Sequence, residues 1–484
     1  MTPPAFRRRQ GETPPRPGAR QDVKRRIRCA LLLPFLLLHM TVFPANASAW
    51  GEFTLKDEKE LGEKFNILIR SRMPLVQDAE IVGYVRSLVD RLARAMPKQP
   101  FPFTVSVIRH NAVNAFACPG GYIFVHTGLL LAMEHEAEVA GVLAHEMAHV
   151  TQRHIASRIE NSQVVSVLSV LGMLAGALMG GSAASAAVAG SMAAGQAAML
   201  NYSRADEREA DQVGMNYLAG AGYDPGGMVG AFRILSRRQW LLGSEVPPYL
   251  STHPALTDRV KDMSVRLKRL PAPQAADDTR FLRVQALVRA RYGDPDRSAA
   301  VFAGQMQGAG RCMALMGMGI LSSRRNRVKD AAGYFDSALT CGPDDELIVR
   351  EAGSFHYLKG DKVKGSALLR RAVDMNPEDT HALYYRARDL EDAGNTGAAL
   401  DYARRVLRKE PDDPEVHELL ARLYGAERKM FDANLSMAYS ALYANDKGRV
   451  KRFYDKAGAL ASAAKDRQAL EIFERKYKER KEFW

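Results

Sequence analysis

Three prolines, Pro343, Pro377 and Pro411, stand 34 and 34 residues apart. The stretches around them, DSALTCGPDDE, RRAVDMNPEDT and RRVLRKEPDDP, align end to end, and Gly360 and Gly394 keep the same 34-residue interval. Each stretch reads as a helix closing before an acidic turn, because proline lacks the N–H that would continue the helix. A fixed period constrains topology more tightly than composition does. One helix–turn–helix unit cannot bury its own apolar face, so successive units must stack. The register reaches back weakly to Gly293 and fades forward beyond LYGAERK.

A 34-residue helix–turn–helix period is that of the tetratricopeptide repeat, and it predicts an all-α solenoid over residues 279–484. Stacked repeats offer a concave face to peptide segments or partner proteins. A purely structural array is the alternative, and no residue names a ligand. Pro271 and Pro273 in LPAPQAADD mark a linker at 270–278.

Residues 50–269 have a different texture. DEKELGEKFNILIRSRM and EIVGYVRSLVDRLARAM carry apolar residues at three- and four-residue spacing and predict helices. FPFTVSVIRH reads as a strand, and NAFACPGGYIFVHTGLL as a hairpin turning at Pro119-Gly120-Gly121. A helical pattern follows from about Leu130 to Glu160. No charge occurs between Glu160 and Arg204. The stretch 161–200, heavy in Gly, Ala and Ser, predicts two helices packed over the protein or flexing as a lid. Membrane-surface contact and a spanning hairpin are the alternatives.

The N-terminus is an export address. Residues 1–28 hold nine Lys/Arg and two acids, then come CALLLPFLLLHMTVFP and ANASA. Basic, apolar, then small residues is the order of a cleaved secretory signal, here 1–49, and an uncleaved anchor is the alternative. Of the net charge of +13, +7 sits in residues 1–28, so the mature chain is near +6. That modest charge, with no basic stripe interleaved with aromatics, argues against nucleic acid and leaves only a mild attraction to an anionic membrane surface. Cys118, Cys312 and Cys341 survive cleavage and lack zinc-knuckle spacing. In an exported protein Cys312 and Cys341 can pair; two buried thiols are the alternative. Cys118 has no base placed to make it a nucleophile.

The stretch LAHEMAHVTQRH, Leu143 to His154, carries the chemistry. His145-Glu146-Met147-Ala148-His149 is H-E-x-x-H. Residues four apart on a helix point the same way, so His145 and His149 can offer two imidazoles to one zinc ion. Glu146 lies about 100° round the helix, within reach of a water on that metal, as a general base. The small and apolar residues around the motif let the helix bury, and two histidines and a glutamate are costly to bury without a partner. His154 is five residues past His149, about 140° away on a continuous helix, and reads as structural. The third ligand must come from elsewhere. In DEREAD, Glu207 has Asp211 four residues on along the same face, whereas Glu209 has Val213. Glu207 as ligand with Asp211 behind a ligating histidine is the expected pairing.

NAFACPGGYIFVHTGLL, LAHEMAHVTQRH and SRADEREAD, in this order, resemble the CAAX-prenyl-protease-type zinc metalloproteases, which are gluzincins. With a signal peptide and a repeat array, the chain is similar to the periplasmic β-barrel-assembly-enhancing proteases of Gram-negative bacteria. The resemblance covers roughly residues 55–265. It implies Glu207 as third ligand and Tyr122, Ile123, Phe124 and Val125 as an active-site edge strand that pairs with a substrate backbone. It brings His253 of STHPALTDR to the active site, either stabilising the tetrahedral intermediate or holding zinc's fourth position, with Arg259 steadying that loop or the oxyanion. Cys118 departs from the small or hydroxyl residue usual before Pro-Gly-Gly.

The expectation is therefore a mostly helical α+β gluzincin-type metalloprotease domain at 50–269, with a small sheet, followed by the all-α solenoid. One zinc per chain, a periplasmic location, misfolded envelope proteins as substrates and β-barrel assembly machinery as partner follow from the resemblance. The runner-up is a chaperone or assembly adaptor acting through the repeats, with rare proteolysis.

Overall fold

The computed structural model of the chain describes residues 53–161, 202–242, 249, 252–270 and 277–484. The expected signal segment, all but the first residue of the uncharged stretch and most of the linker lie outside the described residues. Phe53–Trp484 form one compact unit.

Helix α1 (Leu55–Arg72) opens on a reciprocal cap: Thr54 Oγ1 accepts from the Asp57 N–H, and Asp57 accepts from the Thr54 N–H. Its Leu61, Phe65 and Ile69, four apart, are fully buried. Helix α2 (Ala79–Arg94) is capped by Asp78, whose Oδ1 accepts from the N–H groups of Glu80 and Ile81. One stripe of α2, from Ile81 to Leu92, enters the core.

Strands β1 (Thr104–Ile108), β2 (Ala115–Cys118) and β3 (Tyr122–His126) form one sheet in the order β1-β3-β2. β1 runs parallel to β3 with Val105 opposite Ile123, and β2 antiparallel with Phe116 opposite Phe124. The turn at Pro119–Gly121 needs its glycines: Gly120 and Gly121 have φ of 79° and 86°, and a Cβ on Gly121 would lie 2.7 Å from the Pro102 carbonyl oxygen. Alternate strand residues feed two cores, Val105, Val107, Ile123 and Val125 into one, Phe116, Cys118 and Phe124 into the other.

This topology corrects one expectation. Tyr122, Ile123, Phe124 and Val125 are not an edge; they are paired on both sides in the middle of the sheet. The hairpin signal places β2 beside β3 but is silent on β1, which covers the other side of β3. The edge falls to β2, which has no strand on its outer side among the described residues and packs beside helix α4.

Helices α3 (Thr127–Ala132), α4 (Glu136–Thr151), α5 (His154–Asn161), α6 (Arg204–Gly220), α7 (Gly226–Leu242) and α8 (Leu256–Leu267) complete this part. α4 is buried on every face from Ala137 to His149, as a central helix must be. Gly141 lets α7 approach: a Cβ there would lie 2.6 Å from Met228 Cα.

From Thr279 on, the described residues form twelve helices, α9 to α20: Thr279–Tyr292, Pro295–Gln305, Arg311–Arg324, Val328–Cys341, Glu346–Lys359, Lys362–Met375, Thr380–Asp392, Thr396–Lys409, Pro414–Ala426, Met430–Tyr443, Lys447–Leu460 and Ala464–Lys481. Helical pairing thus continues past the point where the sequence register fades. The reason is visible at the turns. Gly394 and, 34 residues on, Arg428 adopt the same left-handed conformation, with φ of 75° and 60°. The second repeat keeps the turn geometry while losing the glycine that marks it. Cys312 and Cys341 form a disulfide across α11 and α12.

The two parts share a core. Phe281, Leu287, Phe302, Phe335 and Ile348 of the repeats join the same apolar cluster as Leu88, Val125 and Leu143. At the far end Phe483 packs in the cluster of Leu61, Phe65 and Ile69, and Arg72 donates to the Phe483 carbonyl at 2.7 Å. Between these contacts Arg350 of α13, fully buried, donates to Asp78 at 2.9 Å and to Asp379 at 2.9 Å, beside Glu351. The Asp78 that caps α2 therefore also ties α2 to the solenoid.

Candidate metal centre

His145 and His149 sit one turn apart on α4, both buried, with their Nε2 atoms 3.1 Å apart. α6 begins at Ser203, which exchanges hydrogen bonds with Asp206, and this cap aims Glu207 and Asp211 at α4. Glu207 lies 3.5 Å from His145 Nε2 and 3.7 Å from His149 Nε2. His253, on the turn before α8, brings Nδ1 to 2.8 Å from Glu207 Oε1 and 3.3 Å from His145 Nε2. One ligand atom from each of these four buried residues lies within 4.8 Å of the others.

These separations fit a tetrahedral ion. Nitrogen and oxygen ligands about 2.0–2.1 Å from zinc stand about 3.3–3.4 Å from one another. Electrostatics agree. Burial and the nearby His145 hold His149 well below its usual value, so it offers a lone pair. Burial lowers His145 too, but Asp211 and Glu207 outweigh it and raise it, so the pocket favours positive charge there. Burial pushes Glu207 up, yet His253, His145 and Arg259 overcome it and hold the carboxylate well below the usual range. Two imidazoles and an ionised carboxylate aimed at one point suit zinc.

Glu146 is fully buried, and neither carboxylate oxygen has a hydrogen-bond partner. Burial pushes it up to about 7, with His253 opposing and Glu207 adding to the rise. A carboxylate titrating near neutrality suits a proton carrier. His253 Nε2 is 3.5 Å from Glu146 Oε1. Asp211 Oδ1 stands 3.1 Å from His145 Nδ1, behind the ligand face. Arg259, also buried, pairs with Asp211 at 2.6 Å and with Glu207, and its guanidinium lies 4.9 Å from the Phe232 ring centre. Cys118 is buried with its thiol pushed up by that burial, as expected of an inert sulfur.

Tyr122, Ile123, Phe124 and Val125 stay out of this cluster on the central strand, while the backbone of Ala117 on β2 lies beside Glu146.

Sequence reasoning missed three partners. His154 meets His149, Nδ1 to Nδ1, at 2.8 Å, and reaches towards Glu209 at 3.5 Å. The 140° argument assumed a continuous helix, but α4 ends at Thr151 and Arg153, with φ of 54°, turns the chain so that His154 comes back behind His149. Tyr202 stacks on His149 with ring centres 3.7 Å apart, and Tyr249 stacks on His253 at 4.4 Å. The position of Tyr202 just before SRADEREAD and the four-residue spacing of Tyr249 and His253 were the available signals.

Residues 79–267 match peptidase family M48, and residues 380–423 match a tetratricopeptide repeat. Residues 79–267 are an M48 peptidase domain. The chain is similar to a protein named putative beta-barrel assembly-enhancing protease from Vibrio cholerae, at 34% identity over 52% of this chain and 53% of that protein. The Escherichia coli beta-barrel assembly-enhancing protease matches at 30% over 46% of each chain. The mitochondrial metalloendopeptidase OMA1 of Schizosaccharomyces pombe matches at 29% over 40% of this chain and 55% of its own. The chain thus spans about half the length of the curated relatives it matches. The solved tetratricopeptide protein YrrB matches at 18% identity over 36% of this chain and 91% of its own, with a TM-score of 0.29, too low to carry an argument.

Proposed function

We propose that the chain is an exported zinc endopeptidase that cuts unfolded or stalled envelope proteins, with the repeats selecting or holding them. The observation that carries this is the convergence of His145, His149 and Glu207 beside the buried, unpartnered Glu146. His145, His149 and Glu207 would hold a zinc ion, which would supply a water of lowered pKa and a Lewis acid for the scissile carbonyl. Glu146 accepts the proton from the attacking water and returns it to the departing amine. Asp211 orients His145, and His154 orients His149. Substrate backbone adds to the free edge of β2, whose Ala117 lies beside Glu146, so recognition favours extended chain over particular side chains.

His253 is read as the fourth ligand of a resting state. Its Nδ1 stands 2.8 Å from Glu207 Oε1 and 3.3 Å from His145 Nε2, inside the same cluster of donor atoms. Cleavage then requires His253 to move, and Arg259 holds Glu207 and Asp211 in place meanwhile.

Export is supported by the basic-apolar-small N-terminus and by the Cys312–Cys341 disulfide, which belongs to an oxidising compartment such as the periplasm. Among the described residues no helix is long and apolar enough to cross a membrane. Outer-membrane β-barrel proteins and their assembly machinery are proposed as clients and partner from the names of the relatives.

Glu146→Gln tests the reaction. It is expected to lower cleavage of an unfolded protein by about 10²–10⁴-fold while the purified protein keeps one zinc. Undiminished cleavage would overturn the mechanism. Full rescue of an envelope-assembly defect by the same variant would favour the adaptor reading over the protease.

A further inference from the structure

The ring of His253 does not rest on ligand contacts alone. Tyr249 precedes it by four residues, and the His253 N–H donates to the Tyr249 carbonyl at 3.0 Å. The Tyr249 phenol lies nearly parallel to the imidazole, 21° between planes and 4.4 Å between centres. From another element Tyr202 flanks the same imidazole at 5.1 Å and 31°. Tyr202 is in turn stacked on the ligand-face ring of His149 at 3.7 Å. All four rings are at least nine-tenths buried. Phe232, 6.2 Å from Tyr249 and 5.3 Å from His145, backs the stack.

The stacked Tyr249 contact and the tilted Tyr202 contact set the ring's orientation as well as its position. Parallel and offset aromatic contacts are orientation-dependent, so they favour one ring pose over others of equal volume. The chain after His253 opposes this grip: Ala255 is a non-glycine residue in the left-handed region, with φ of 61°.

We propose that Tyr249 and Tyr202 form an aromatic clamp that positions His253 over the metal site, with Tyr249 as its movable jaw. This inference rests on the reading of His253 as fourth ligand and adds what holds it there. Tyr249 travels with His253 because the His253 N–H is bonded to its carbonyl, whereas Tyr202 stays with α6 and His149. Release therefore parts His253 from Tyr202 and breaks the Tyr249 packing on Phe232. Both phenols are positioning residues; neither takes part in the chemistry.

The test uses full-length zinc-loaded protein and acetohydroxamate, a small chelating zinc probe, with affinity read by calorimetry. His253→Ala is expected to raise probe affinity at least 10-fold. Tyr249→Met, which keeps bulk but removes the ring, is expected to raise it 3- to 10-fold, and Tyr249→Phe, which keeps the ring, to leave it within 2-fold. The double variant Tyr249→Met/His253→Ala should match His253→Ala, since the clamp acts only through the histidine. Tyr249→Leu replaces Tyr249→Met if the latter loses its zinc or its thermal transition. Wild-type affinity in the ring-less variant, with His253→Ala still raised, would overturn the clamp and leave the fourth-ligand reading standing. No rise in His253→Ala would overturn that reading, and the clamp with it. An additive double variant would also overturn the clamp.

Discussion

Arg350 and His145 are both fully buried among carboxylates, one where α13 meets the cap of α2, the other on α4. Around Arg350 every charge has an opposite. Its guanidinium bonds Asp78, Asp379 and Glu351, and Arg291 bonds Glu351 at 2.7 Å. Burial lowers Arg350, yet the three carboxylates outweigh it and hold the group charged. Around His145 the charges do not close. Imidazole and carboxylate atoms converge on one point, and Glu146 stands by with no hydrogen-bond partner. A buried cluster that is complete in itself joins parts of the fold; one that is incomplete awaits a ligand or a proton. Burial and charge alone do not separate the two, but the pairing of carboxylates does: Asp78, Asp379 and Glu351 each bond Arg350, whereas Glu146 bonds nothing.

The sharpest way to break the contrast is to make the first cluster incomplete. Arg350→Met leaves Asp78, Asp379 and Glu351 buried without their cation, and is expected to lower stability by about 3–5 kcal/mol in chemical denaturation, with zinc content unchanged. A loss confined to zinc content or activity would mean that Arg350 serves the site instead.

Next comes the covalent tie on the solenoid side. Replacing Cys312 and Cys341 together by serine opens a loop of 29 residues in separation and is expected to cost on the order of 3 kcal/mol. Calorimetry should show the loss with probe affinity at the zinc unaltered.

A smaller effect sharpens the metal side. His154→Ala removes the group that faces His149 Nδ1 and is expected to weaken zinc binding about 10- to 100-fold, read by competition with a chelator. Unchanged affinity would return His154 to a purely structural role.

The smallest effect lies beside the Arg350 cluster. Burial pushes Glu410 up to about 8, with Asp413, Asp78 and Asp379 adding to the rise and a hydrogen bond from Thr380 opposing it. A carboxyl raised in the folded state contributes stability below its unfolded value and loses it as pH rises through the folded one. The wild-type protein should therefore lose stability between about pH 4.5 and pH 8 relative to Glu410→Gln, by roughly 1–2 kcal/mol once solvent screening of this partly exposed carboxyl has cut the ~5 kcal/mol of the full shift. A difference that does not grow with pH would show that Glu410 is ionised throughout.

Much of the site was legible because it is written in helical periods. The four-residue spacing of His145 and His149, and again of Glu207 and Asp211, puts each pair on one face wherever the helix goes. The 34-residue interval did the same for the solenoid, up to the repeat where Arg428 stands in for glycine. What stayed hidden depends on backbone breaks and distant packing. His154 reaches His149 only because Arg153 adopts a left-handed turn. Tyr122 to Val125 look like an edge until β1 is laid parallel to them.

By itself the sequence determined the repeat architecture, the H-E-x-x-H helix and its partner carboxylates. Local backbone geometry converts a spacing of four, or of 34, directly into shared faces. Only the tertiary structure decided which strand is the free edge, how His253 is seated between Tyr249 and Tyr202, and that Asp78 and Arg350, 272 residues apart, are neighbours. Those choices are made by chain crossings and by the pairing of buried charges, and neither leaves a period in the sequence.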